Sequence, residues 1–147
     1  MVVAKTLPTL QLESDDNFSP DELIVELQGM DKVWAFKSKI IVPISHIESI
    51  RVAEHAEIHE KRLVKVVGAG IGGFKVGDFL ECNHGEEKNR LLFLDVHHKQ
   101  AAAEGRVILI ALKDERYEEL VLEVDDVNSE KVMKVLLGKL DGASPSL

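Results

Sequence analysis

One cysteine, Cys82, occurs in 147 residues. No internal disulfide can form, and a single thiol fits a reducing compartment. Aromatic residues are scarce too, with one Trp, one Tyr and five Phe. The core must therefore be built from Val, Ile and Leu. No segment approaches the roughly 20 apolar residues of a membrane-crossing helix. The start, "MVVAKTLPTLQLESDDN", lacks the apolar run of a signal peptide, so the expected location is cytoplasmic. Positive charge is in deficit: 18 Lys and Arg stand against 26 Asp and Glu, a net charge of -8. Such a body repels nucleic acid and acidic lipid unless a local basic patch exists. None is written here. Basic residues are interleaved with acids, as in "EIHEKRLVK", and Lys37 with Lys39 is too short a cluster. No nucleic-acid partner and no direct phosphoinositide or membrane binding is expected.

What is present is a succession of short β-rich runs. The length suits one domain that can bury a core without staples. Residues 1–21, acidic and broken by Pro8 and Pro20, read as a flexible arm that adds at most one extended segment. Residues 22–141 read as the domain and 142–147 as a loose tail. "ELIVELQG" alternates, "VWAF" and "KIIVP" flank a Lys37–Ser38 bend and read as a hairpin, and Pro43 ends its strand or lies at an edge. "IESIRVAE", "LVKVV", "DFLEC", "RLLFLDV", "RVILIAL" and "ELVLEV" follow as strands. From Ser129 to Leu140 the period changes. Val132, Met133, Leu136, Leu137 and Leu140 form one stripe of an amphipathic helix, with Asn128 or Ser129 as its cap. Strands followed by one helix, without βα alternation, predict a mainly β fold. The expected architecture is a bent antiparallel seven-stranded sheet or partly open barrel, capped by a C-terminal helix.

The run "VWAFKSKIIVPISHIESIRV", the Gly-rich "GAGIGGFKVGDF", the strand "LLFLDVHH" and the stretch "DERYEELVLEVDDVNSEKV" together resemble the small bacterial proteins with a pleckstrin-homology-like fold. The resemblance covers roughly residues 22–140. Two departures stand out: a longer connection, "KQAAAEGR", and the lack of a Pro in the Gly-rich segment. The resemblance implies the same seven-stranded sheet and C-terminal helix. It implies no activity, no cofactor and no catalytic residue.

Four features carry candidate chemistry. Gly68-x-Gly70-x-x-Gly73 has the spacing of a dinucleotide loop, and Asp95 lies 22 residues after Gly73. A nucleotide-using enzyme would need a helix opening at these glycines to hold the pyrophosphate. "FKVGDFLECNHGEE" shows no helical period, so the glycines are expected to give freedom to a long inter-strand crossing. His55 and His59, four apart among Glu54, Glu57 and Glu60, and His97 and His98 beside Asp95, are the candidate metal ligands. The default for both is a solvated or structural group. Cys82 beside His84 has no oxyanion-stabilising partner, so no catalytic residue is assigned. Trp34 and Phe36, two apart on one face of an expected strand, belong to the core or, if exposed, form an anchor pair for a partner. The leading expectation is a non-enzymatic domain acting through a protein partner or self-association. The alternative is a small-molecule or metal-binding protein using the His and Glu clusters.

Overall fold

The computed structural model describes residues 7–13, 22–53, 63–71, 74–81, 90–98, 100–124, 133–134 and 138. Among them the apolar runs resolve into nine strands and a short helix. These are β1 (Thr9–Glu13), β2 (Glu22–Glu26), α1 (Asp31–Ala35), β3 (Lys39–Pro43), β4 (Ile47–Val52), β5 (Leu63–Ile71), β6 (Phe74–Glu81), β7 (Arg90–Val96), β8 (Val107–Leu112) and β9 (Glu119–Glu123). The mainly β expectation is met. The extended segment allowed for in the N-terminal arm is β1, paired along its length with β2.

The strands form two sheets rather than one sheet of seven. One is three-stranded, in the order β1-β2-β3, and the other six-stranded, in the order β4-β8-β9-β7-β6-β5. All pairs are antiparallel except β7 with β9, which run parallel with Phe93 opposite Leu120. Residues from both sheets meet in a shared core that includes Leu23, Val25, Val42, Phe93, Ile108, Ile110, Leu120 and Leu122. The opposite face of the large sheet holds a second cluster, Phe79, Leu92, Leu94, Leu109 and Val121, closed by Ala101 and Ala102. Burial on both faces explains why "LLFLDV", "VILIAL" and "ELVLE" are continuous apolar runs instead of alternating ones. Pro43 ends β3, an edge strand, where its missing N–H costs no ladder bond.

Two local expectations are overturned. Val33–Phe36 is not a strand: Val33, Trp34 and Ala35 lie in α1. Gly29 turns the chain at φ 54, the Asp31 amide donates to the Gln28 carbonyl, and the Trp34 amide donates to that of Met30. These turn bonds nucleate a helix where the β-branched and aromatic residues alone favour extension. The helix stops at Phe36, which takes the left-handed conformation at φ 55.

Gly68 and Gly70 are not a crossing between strands either. Both lie inside β5, which pairs with β6 as far as Ile71 opposite Phe74, so no helix opens at them; Gly72 and Gly73 lie outside the described residues. Gly68 faces Gly77 across the ladder, with φ values of 135 and 131. A Cβ on Gly68 would sit 2.0 Å from the Val76 carbonyl oxygen, and one on Gly77 2.0 Å from that of Val67. The two backbones approach so closely that only a glycine pair fits. Residues 129–132, 135–137 and 139–140 of the expected C-terminal helix lie outside the described residues. Met133, Lys134 and Gly138 have helical backbone, and Met133 packs on the shared core.

Candidate functional site

Five carboxylates lie buried in otherwise apolar strands: Asp78 and Glu81 in β6, Asp95 in β7, and Glu119 and Glu123 in β9, with Glu81 and Glu119 ion-paired to Arg90. Charge at such positions is tolerated only with partners, and the partners define the site. Alternation along β6 and β7 turns Asp78 and Asp95 to the side of Val76 and Phe93, the inter-sheet face. Helix α1 lies against β5 and β6.

At its N-terminal end, α1 buries Asp31. His97, just after β7, places Nε2 2.7 Å from Asp31 Oδ2 and 3.1 Å from Asp95 Oδ1. The Nε2 contact with Asp31 has hydrogen-bond geometry. The Asp95 side chain is wholly inaccessible, and neither of its oxygens accepts a hydrogen bond. The Phe74 ring stands edge-on to the imidazole at 4.9 Å. The bond to Asp31, and then the nearby Asp95 carboxylate, outweigh burial and hold the His97 imidazolium up to about 10. Burial pushes the Asp95 carboxyl up to about 8; the His97 imidazole opposes this rise and Asp31 adds to it.

Beyond the C-terminal end of α1, Lys37 reaches back into the same face. Its Nζ is 3.5 Å from Asp78 Oδ1, donates to the Tyr117 hydroxyl, and lies over the Tyr117 ring at 4.6 Å. The Tyr117 hydroxyl donates to Asp78 at 2.6 Å, and Arg116 approaches the other Asp78 oxygen at 3.3 Å. Burial, followed by the Asp78 contact, pushes the Tyr117 phenol well above its ordinary range. Two ionic contacts, Asp31–His97 and Lys37–Asp78, thus clamp a five-residue helix to the sheet.

The clamp inverts the usual amphipathic order. Asp31 and Ala35, one turn apart, face inward. Met30, Val33 and Trp34, spaced i, i+3, i+4, face outward, and Phe36 follows them. Their exposures are 59%, 56%, 41% and 84%. Trp34 and Phe36 are therefore exposed, but on a helix and its end rather than on a strand. Val64 and Val66 of the edge strand β5 are exposed too.

Of the two candidate-ligand histidines among the described residues, His97 joins the Asp31–Asp95 group and His98 does not. His98 turns to the other face of the sheet, where its Nδ1 lies 2.6 Å from Glu123 Oε2 and its amide donates to Oε1. Arg106 donates to the same carboxylate at 2.7 Å. Burial alone would raise the Glu123 carboxyl, but the His98 side chain and the His98 and His97 amides outweigh it and hold it low. His55, His59, Cys82 and His84 lie outside the described residues. Asp31 was missed because "QGMDK" reads as a surface turn. Its one sequence signal is its place just beyond Gly29, where a first-turn acid favours a helix start. Asp78 and Glu123 did carry a signal, an acid set among apolar residues of a β-rich run.

No protein-family model, curated protein or solved structure matches the chain. Among the described residues, no helix is long and apolar enough to cross a membrane.

Proposed function

We propose that this chain is a protein-interaction module that self-associates through the outward stripe of α1. The carrying observation is the inverted helix: an ionic clamp inside and Met30, Val33, Trp34 and Phe36 outside. A folded chain does not ordinarily fix an apolar stripe toward water unless something covers it. Phe36 adds to this, since a bulky residue at φ 55 costs about 1–2 kcal/mol.

The occupant is a second copy. The stripe itself carries no charge, so it needs no partner of opposite sign and is self-complementary across a two-fold axis. Exposed Val64 and Val66 lie on an edge strand, and antiparallel edges also match under two-fold symmetry. Lys65 and the register shift between Lys65 and Val67 guard that edge against open-ended pairing, so the assembly closes at two. What supports a pleckstrin-homology-like assignment is the mainly β chain, the two sheets packed on one core and the helical Met133–Lys134 pair; the insertion of β9 between β8 and β7 departs from it. The parallel β7–β9 pair departs from the all-antiparallel sheet that assignment implies.

Sedimentation velocity across concentration tests the reading. A dimer with a dissociation constant at or below about 100 μM, roughly −5.5 kcal/mol, is expected. Val33→Asp makes it monomeric with the fold retained. Phe36→Gly separates association from folding: it relieves the left-handed strain, raising monomer stability by about 1 kcal/mol, while weakening the dimer at least tenfold. A wild-type chain that stays monomeric above about 100 μM, or a Phe36→Gly dimer as tight as wild type, overturns the proposal.

A further inference from the structure

Two carboxylates face one imidazole on the inner side of the large sheet. One cation can match only one of them. The second, Asp95, is wholly buried, and both its oxygens lack a hydrogen-bond donor. A buried ionised carboxylate in that condition is untenable without a further positive partner.

We propose that Asp31 Oδ2, Asp95 Oδ1 and His97 Nε2 are three ligands of a site for a divalent first-row transition-metal ion. The three ligating atoms lie within 4.8 Å of one another. Ligands about 2.1 Å from an ion stand about 3.0–3.4 Å apart at octahedral and tetrahedral angles. The separations from His97 Nε2, 2.7 and 3.1 Å, need little adjustment to admit one. The donors are held in advance: Asp95 by a central strand, His97 directly after it, and Asp31 by α1, whose far end is fixed at Asp78. Two carboxylate oxygens and an imidazole nitrogen suit Zn2+ or Mn2+. The imidazole disfavours Ca2+ and Mg2+, and no thiolate is offered for copper(I). The +2 charge balances both carboxylates once His97 is neutral, so binding releases protons. The ion completes the coordination of Asp95 and ties α1 to β7. Three protein ligands leave further positions for water.

The test is calorimetric titration of EDTA-stripped full-length chain with MnCl2 and, separately, ZnCl2, alongside thermal melts. One ion per chain and a rise in melting temperature reversed by EDTA are expected. Asp95→Asn should bind at least tenfold more weakly, since even outer contacts of a metal site change affinity about 10–100-fold. Asp31→Asn should do the same, and His98→Gln should bind as wild type does. Circular dichroism in EDTA confirms that each variant is folded; if Asp31→Asn is not, Asp95→Asn carries the comparison. No saturable binding of either ion up to about 1 mM, the weak end of protein cation sites, overturns the proposal. So does an Asp95→Asn chain that binds with wild-type affinity, because the ion then sits elsewhere and a proton alone occupies the gap beside Asp95.

Discussion

Gly68→Ala and Gly70→Ala change two glycines of one motif by the same methyl group, yet their expected effects are opposite. At Gly68 the backbone has φ 135 and the new Cβ falls 2.0 Å from the Val76 carbonyl oxygen and 2.9 Å from Gly77 Cα. Both obstacles are backbone, so no rotamer change relieves them. The strained conformation costs about 1–3 kcal/mol and the overlap about 1–3 more. The sum, about 2–6 kcal/mol, is a large share of the 5–15 kcal/mol that typically holds a domain together. At Gly70 the nearest atoms are Phe79 ring carbons at 3.4 and 3.5 Å, ordinary to slightly tight contact. There alanine mainly restricts the unfolded chain, which stabilises by about 0.4–1 kcal/mol. Urea unfolding followed by circular dichroism measures both. For a chain of this size the melting temperature should fall by about 10 °C in Gly68→Ala and rise by a few degrees in Gly70→Ala. A phosphate-binding loop predicts otherwise, with both variants losing ligand and neither losing much stability. If the two variants lie within about 1 kcal/mol of each other, the close glycine pair described for β5 and β6 is wrong.

Further expectations follow from the buried charges. Glu123 has its carboxyl held below the unfolded value of about 4.3. Its stabilisation is therefore present above that pH and lost as pH falls through the native value; Glu123→Gln should flatten the acid limb of a stability–pH curve. In EDTA the alkaline limb has the opposite origin. His97, raised to about 10, contributes stability that is complete below about 6.5 and lost as pH rises through 10. Asp95, raised to about 8, takes up a proton on folding, so its stability falls as pH climbs from about 3.9 to 8. Asp95→Asn should remove that second decline and reduce the first to the part that Asp31 supports; parallel curves would contradict it. Tyr117→Phe deletes the 2.6 Å bond to Asp78 and the acceptor of Lys37, at an expected 1–3 kcal/mol, roughly. It should also raise acrylamide quenching of Trp34, the sole tryptophan and hence a reporter of α1. Unchanged quenching would mean that Lys37 does not hold the helix.

Much of the sheet was legible because its strands are long, aliphatic and bounded by turn residues. "RLLFLDV", "RVILIAL" and "ELVLEV" correspond to β7, β8 and β9 within a residue or two. A three-residue helical turn, Ile44–His46, follows Pro43. Pairing was less legible. A meander is the cheapest guess for short connections, but nothing local says that β9 inserts between β8 and β7, since that choice is made by packing on both faces. The Val33–Phe36 segment failed for a related reason. Its β-branched and aromatic residues have strand propensity, and the competing terms, a buried Asp31 met by His97 and Asp78 met by Lys37, lie 66 and 41 positions away in sequence. The site was half visible: His97 and Asp95 stood together in the sequence, and Asp31 joined them only through the fold.

The place of β9 bears on how the chain comes into being. The final strand of the sheet, Glu119–Glu123, is the keystone between β8 and β7. Until it is in place, β4-β8 and β7-β6-β5 are two separate ladders, each with an open inner edge. On a ribosome making the chain from its N-terminus, those edges wait unpaired until residues beyond 119 clear the exit tunnel. A nascent chain stalled just before that point is thus the species most exposed to strand-swapped assembly with its neighbours.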